Sequence, residues 1–163
     1  MMRWFSVPQF SQDMLASADR EWLYQLGNNI VEPFWSIRPC VLTQDELYHI
    51  APILHAISTQ PAYVAVIMTP RFTNCKTHTD NIGGRVSAIN IPINVEASSM
   101  FQYMSEDGDV MESIDLQPAK AWDVSVPHRV YNLDSKTNRV VLSLGFTETI
   151  NELHEQIFPT IKP

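Results

Sequence analysis

The stretch Cys75-Lys76-Thr77-His78-Thr79-Asp80 decides how the rest of the chain is read. Side chains alternate across a pleated strand, so residues two apart share a face. His78 and Asp80 are two apart, and on a strand both can reach one metal ion. They need a third ligand from elsewhere, and the sequence offers His128. By itself a His-x-Asp pair is also what a surface histidine beside a turn-forming aspartate looks like. The choice depends on whether the surrounding chain builds a β fold that brings a distant histidine to the same place.

The surroundings are β-rich. Ala62-Tyr63-Val64-Ala65-Val66-Ile67-Met68 is short and rich in β-branched residues, which predicts a strand. Further strands are predicted near 74–80, 85–93, 100–105, 110–116, 120–124, 128–133 and 139–146. Turn residues separate them: Gly83-Gly84, Ala97-Ser98-Ser99, Glu106-Asp107-Gly108, Pro118 and Asp134-Ser135. About eight short strands at this spacing predict a two-sheet antiparallel sandwich or jelly roll.

Helices flank this core. Residues 1–10 read as an extended arm. Ser11 is a predicted N-cap, followed by Met14, Leu15, Ala18, Trp22, Leu23, Leu26 and Ile30 at helical spacing. Residues 32–41, with Pro33 and Pro39, read as irregular. Thr43-Gln44-Asp45-Glu46 is a capping box for a second helix, which Pro52 should kink or shorten. Thr147 or Thr149 can cap a last helix that ends before Pro159. The expected whole is mainly β with flanking helices. It is a single domain in which residues 1–60 support a core at 61–146 and residues 147–163 close it, the N-terminal helices backing one sheet.

Two later strands carry the remaining chemistry. In Pro127-His128-Arg129-Val130-Tyr131-Asn132, parity puts His128, Val130 and Asn132 on one face. In the last strand Arg139, Val141, Ser143 and Gly145 share a face, opposite the apolar Val140, Leu142, Leu144 and Phe146. An arginine on a face of small residues suits a pocket, and guanidinium binds carboxylate bidentately. In a plain hairpin His128 and Arg139 would lie roughly 16 Å apart, too far for a small diacid to bridge. A shared pocket requires the two strands to lie in opposite sheets, as a jelly roll provides and a meander does not.

The linked order His78-Thr79-Asp80, Ile89-Asn90-Ile91-Pro92-Ile93, Asp123, Pro127-His128…Asn132 and Arg139, eleven residues after His128, resembles the 2-oxoglutarate/Fe(II)-dependent oxygenases. The nearest branch it resembles is the aspartyl/asparaginyl β-hydroxylase-like group, and the match covers roughly residues 62–146. The resemblance implies a double-stranded β-helix, Fe(II) held by His78, Asp80 and His128, and 2-oxoglutarate anchored by Arg139. It places Asn90 where that group often has a histidine for the cosubstrate. An arginine common two residues earlier is Ala88 here, a departure for which Arg85 or Ser143 can compensate. The implied reaction hydroxylates an amino acid, peptide or protein side chain, with 2-oxoglutarate converted to succinate and CO₂. Asp123 and Asn132 are expected to orient the ligands. Two other readings stay open: a metal-cupin enzyme that does not use 2-oxoglutarate, and a non-catalytic small-molecule-binding sandwich.

Composition narrows the partners. The 163 residues carry a formal net charge of -7 with no basic run, so no nucleic acid is expected. No apolar stretch of membrane-spanning length and no secretory leader is read, and Cys40 and Cys75 are read as reduced thiols, so a cytoplasmic protein is expected. His49, His55 and His154 fall in predicted helices and are read as surface or packing residues. Cys75, three before His78, is expected by parity to face away from the site.

Overall fold

The structure, a computed structural model, describes residues 1–29, 38–80, 82–133 and 136–159. In chain order the strands are β1 (Trp4–Ser6), β2 (Arg38–Val41), β3 (Tyr63–Thr69), β4 (Ser87–Pro92), β5 (Ser99–Met104), β6 (Val110–Asp115), β7 (Lys120–Asp123), β8 (His128–Asn132) and β9 (Arg139–Phe146). The helices are α1 (Ser17–Asn28), α2 (Ala51–Ala56) and α3 (Ile150–Ile157). One sheet has the order β1-β7-β4-β9-β3-β2 and the other β6-β5-β8. All the pairings are antiparallel.

Residues 73–80 extend the smaller sheet beyond β8, through bridges Asn74↔Tyr131 and His78↔His128. From β3 onward the chain then alternates between sheets: β3 large, 73–80 small, β4 large, β5 and β6 small, β7 large, β8 small, β9 large. This is the jelly roll, one of the two arrangements expected from the strand spacing, and the double-stranded β-helix that the resemblance implies. It places β8 and β9 in opposite sheets, as a pocket shared by His128 and Arg139 requires.

Period-two alternation assigns each strand's two faces to two cores. Val64, Val66, Met68, Ile89, Ile91, Leu142 and Leu144 point outward from the large sheet and pack with Leu23, Ile50, Ile53 and Leu153 of the helical elements. A second, smaller cluster of Ala88, Phe101, Tyr103, Trp122, Val124 and Val130 fills part of the space between the sheets. β9 lies at the centre of the large sheet with both faces covered, and all eight of its residues are buried.

Several local expectations change. Ser11 caps a short 3-10 turn, Gln12–Met14, and α1 starts only at Ser17, because Leu15 turns extended and buries its side chain. Thr43 starts a 3-10 segment, Gln44–Ile50, and Pro52 stands in the first turn of α2, where its missing N–H is tolerated. Within the region read as irregular, residues 38–41 form β2; Pro39 is admissible because β2 is an edge strand. The stretch 74–80 is not a regular strand. Four steps from Asn74 to His78 oppose three from Tyr131 to His128, so it carries a one-residue bulge. The predicted positions Ile30, 32–37 and Asp134-Ser135 lie outside the described residues. Thr149 is the cap of α3, as one of the two expected alternatives.

α1 reaches the sheet through Gly27, where an added Cβ would lie 2.6 Å from Val140 Cγ1. Gly27→Ala in a helix normally stabilises by about 1 kcal/mol. Here overpacking by about 1–3 kcal/mol should win, because a β-branched valine in a full core cannot swing aside. The net loss, up to about 2 kcal/mol, should lower the melting temperature by up to about 8 °C by circular dichroism. A raised melting temperature would refute the close approach.

Candidate metal centre

His78 and His128 stand directly opposite each other across the joint between residues 73–80 and β8. Each backbone N–H donates to the other's carbonyl at 2.9 Å. Opposed residues of an antiparallel pair project side by side, and the ring centroids are 4.6 Å apart. Each ring is then oriented by its own chain. Nδ1 of His78 lies 2.7 Å from the carbonyl of Lys76, and Nδ1 of His128 lies 2.8 Å from that of Val126. A carbonyl only accepts, so both Nδ1 atoms carry the hydrogen and both Nε2 atoms are turned inward.

Asp80 follows, with its N–H bound to the carbonyl of Val124 at 2.8 Å. Its Oδ1 is 3.4 Å from His78 Nε2 and its Oδ2 is 3.6 Å from His128 Nε2. One donor atom from each of His78, Asp80 and His128 lies within 4.8 Å of the others. Two imidazole nitrogens and a carboxylate oxygen form a donor set suited to a divalent first-row metal with open positions. Among the described residues the Nε2 atoms have no acceptor to serve except this carboxylate, which is the arrangement a cation relieves.

The electrostatics agree. The hydrogen bond to Asp80 holds the His78 imidazole up at about 10, with the Cys75 thiol adding to it and burial opposing it. Burial alone would push the Asp80 carboxyl up. The hydrogen bonds from His128 and His78 and the Arg85 charge outweigh that and hold it well below the usual carboxylate range. These shifts favour a proton shared between His78 and Asp80, in the place a bound cation would take.

These residues line one end of a pocket of about 200 Å³ that continues to Asn90, Ser143 and Arg139. Arg139 is 3% exposed. Its Nη1 donates to Thr69 Oγ1 at 3.3 Å, while Nε and Nη2 are buried without a partner among the described residues. Burial pushes its guanidinium down to about 9, still above neutrality, so a cation sits here without a counter-ion among the described residues. Asn90 stands opposite Ser143 in register, and its buried Oδ1 also lacks a partner among the described residues. The apolar wall between the two ends includes Ile67, Phe101 and Val130.

Other expected positions differ. Asp123 does not reach the triad; its Oδ1 accepts from Ser125 N at 3.0 Å and Ser125 Oγ at 2.6 Å, shaping the turn that leads into His128. Asn132 donates to the carbonyls of Thr69 at 3.1 Å and Thr137 at 3.3 Å, supporting the Arg139 end of the pocket. Cys75 does not face away. Its Sγ lies 4.0 Å from His78 Nδ1, because the bulge breaks strand parity between them. Trp122 is wholly buried and stacks on Phe101, which stacks on His128. Tyr63 lines the pocket.

Sequence reasoning missed Thr69 and the main contact of Arg85. Thr69 was findable: it has the parity of Tyr63, Ala65 and Ile67 on β3, and it pairs in register with Arg139. Arg85 Nη2 binds Asp80 Oδ2 at 2.9 Å, a contact made across a turn that no spacing rule specifies.

No family model matches the sequence, and no curated protein matches it. Solved structures do match in fold. A prolyl-4-hydroxylase of Pseudomonas putida is 10% identical, covering 88% of this chain and 91% of its own, with a TM-score of 0.54. A prolyl hydroxylase from Trichoplax adhaerens, in complex with a hypoxia inducible factor oxygen degradation domain peptide fragment, is 14% identical. That match covers 88% of this chain and 79% of the other, with a TM-score of 0.51. The shared feature is the double-stranded β-helix.

A metal that enters must displace the proton between His78 and Asp80. The raised pKa of His78 makes that ion pair's contribution fully present below about 6.5 and lost as pH rises through about 10. Divalent-cation affinity should therefore rise with pH across that window, by up to about tenfold per unit, with close to one proton released. Calorimetry in buffers of different ionisation enthalpy checks this. A pH-independent affinity with no proton release would contradict the arrangement.

Proposed function

We propose that this chain is an Fe(II)- and 2-oxoglutarate-dependent dioxygenase that hydroxylates an amino acid, peptide or protein side chain. His78, Asp80 and His128 are its metal ligands, and Arg139, Asn90 and Ser143 hold the cosubstrate. The observation that carries this reading is a pocket lined both by a three-donor cluster and by a buried guanidinium whose Nε and Nη2 have no partner among the described residues. A small diacid fits that polarity. Nε and Nη2 of Arg139 would hold one carboxylate, and His78, Asp80 and His128 would hold the metal that the 2-oxo acid end binds. When bound, the iron and 2-oxoglutarate supply O₂ activation and oxidative decarboxylation.

The chain's own residues do the rest. Thr69 and Asn132 hold the Arg139 end in place, the Nδ1 hydrogen bonds aim the two imidazoles, and Ile67, Phe101 and Val130 keep water from the middle of the pocket. The sequence resemblance to the aspartyl/asparaginyl β-hydroxylase-like group supports an amino-acid or peptidyl substrate, as does the peptide held by a fold relative. Residues 1–60, 61–146 and 147–163 are proposed to act as one domain, since helical and sheet residues share a core. None of the helices formed by the described residues is long and apolar enough to cross a membrane; a cytoplasmic setting is part of this proposal. The cupin reading without 2-oxoglutarate has no use for a buried Arg139 whose Nε and Nη2 lack partners among the described residues.

Succinate release, measured with Fe(II), ascorbate, 2-oxoglutarate and panels of amino acids and peptides, tests the proposal. Asp80→Ala should abolish it. Arg139→Ala should raise the 2-oxoglutarate requirement by about 10- to 100-fold, the loss of one or two charge-assisted hydrogen bonds. Full succinate formation by Asp80→Ala, or an unchanged cosubstrate requirement in Arg139→Ala, would defeat the respective assignments.

A further inference from the structure

We propose that Arg85 is a positioning residue that confines Asp80 to one metal-facing oxygen and so keeps a coordination position open for a chelating cosubstrate. This rests on His78, Asp80 and His128 being metal ligands. The chain turns back after Asp80 through Gly83 and Gly84, at φ +66° and +74°, so that Arg85 returns alongside it. The next residue, Val86, is pinned by its N–H to the carbonyl of Phe146 at 2.9 Å.

The Arg85 side chain is only 5% exposed, and Nη2 donates to Asp80 Oδ2 at 2.9 Å. Its Cζ lies 4.7 Å over the Tyr63 ring. Its stem passes Gly145 so closely that a Cβ there would stand 2.3 Å from Arg85 Cδ. The Nε is buried without a partner among the described residues. Burying a guanidinium is costly, and one that leaves a nitrogen unsatisfied is poor as a stability device. What the arrangement does achieve is to hold one oxygen of a metal-site carboxylate.

The consequence is coordinative. Both oxygens face the imidazoles, Oδ1 at 3.4 Å from His78 Nε2 and Oδ2 at 3.6 Å from His128 Nε2, but Oδ2 already accepts from Arg85 at 2.9 Å, which leaves Oδ1 as the oxygen free to ligate. A carboxylate without that restraint can bind a cation through both oxygens. In a three-residue site the second oxygen would take a position that a 2-oxo acid needs to chelate. Gly145 is part of the same device, because any side chain there would push Arg85 off its line.

Co(II) on the purified full chain is the probe, read by its visible absorption and by calorimetry. Wild type should give a Co(II) spectrum that His78→Ala loses; if it does not, the ligand assignment itself fails. In Arg85→Met, Co(II) should bind as tightly as in wild type or tighter. The 2-oxoglutarate midpoint on the Co(II) complex should rise about tenfold to a hundredfold. Azide, which needs a single position, should bind as in wild type. Gly145→Ala should reproduce this pattern without touching the metal, and Arg85→Lys should partly restore 2-oxoglutarate binding. Melting curves show whether each variant is folded, and Arg85→Lys carries the comparison if Arg85→Met is not. Joint weakening of Co(II), azide and 2-oxoglutarate would mean a merely structural role. Joint weakening of azide and 2-oxoglutarate would mean a charge effect. Either result, or an unchanged 2-oxoglutarate midpoint, overturns the proposal.

Discussion

Two backbone hydrogen bonds hold the site together, the reciprocal pair between His78 and His128 at 2.9 Å each. They join an irregular segment to a regular strand at the one register that sets two imidazoles side by side. Each ring then bonds the carbonyl two residues before it, Lys76 for His78 and Val126 for His128. The same local device, used twice, aims both Nε2 atoms at Asp80. Geometry that a metal needs is in this way built from main-chain pairing, which is stiff, more than from side-chain contacts, which are not.

The fold separates apolar packing from charge by the two faces of one sheet. Outward-facing residues of β3, β4 and β9 pack under the helices and form the larger core. Inward-facing residues of the same strands include Arg139, Asn90 and Ser143. Two buried guanidinium groups line the pocket: Arg85 pairs with Asp80, and Arg139 bonds Thr69. Buried ions with unsatisfied nitrogens add little to stability and are held in place by a scaffold stabilised elsewhere. The helical layer, remote from the pocket, supplies that stabilisation.

Much of this was legible along the chain. Strand alternation in 139–146 predicted which face is core and which lines a pocket, and the structure has Val140, Leu142, Leu144 and Phe146 in the core and Arg139 and Ser143 at the pocket. The capping motif at Thr149 and the effect of Pro52 are local and were readable as such. Parity failed where regular pairing failed. The bulge before His78 turned Cys75 toward the site, and it leaves the short His78–Asp80 separation to be set by the bonds to His128 and Val124. β2 was missed because proline argues against a strand unless the strand is an edge, and edges are decided by neighbours.

By itself the sequence determined the residue types of the site, their order, and a strand count that demands two sheets, because these depend on composition and short-range periodicity. The tertiary structure alone decided that β8 and β9 lie in opposite sheets, that Thr69 meets Arg139, and that Arg85 passes over Gly145 to reach Asp80. Those contacts join residues whose approach is set by sheet register and by the volume left in a packed interior. No local pattern encodes either quantity. The opening His78-Thr79-Asp80 is therefore half a site on paper and becomes a whole one only when its backbone pairs with His128.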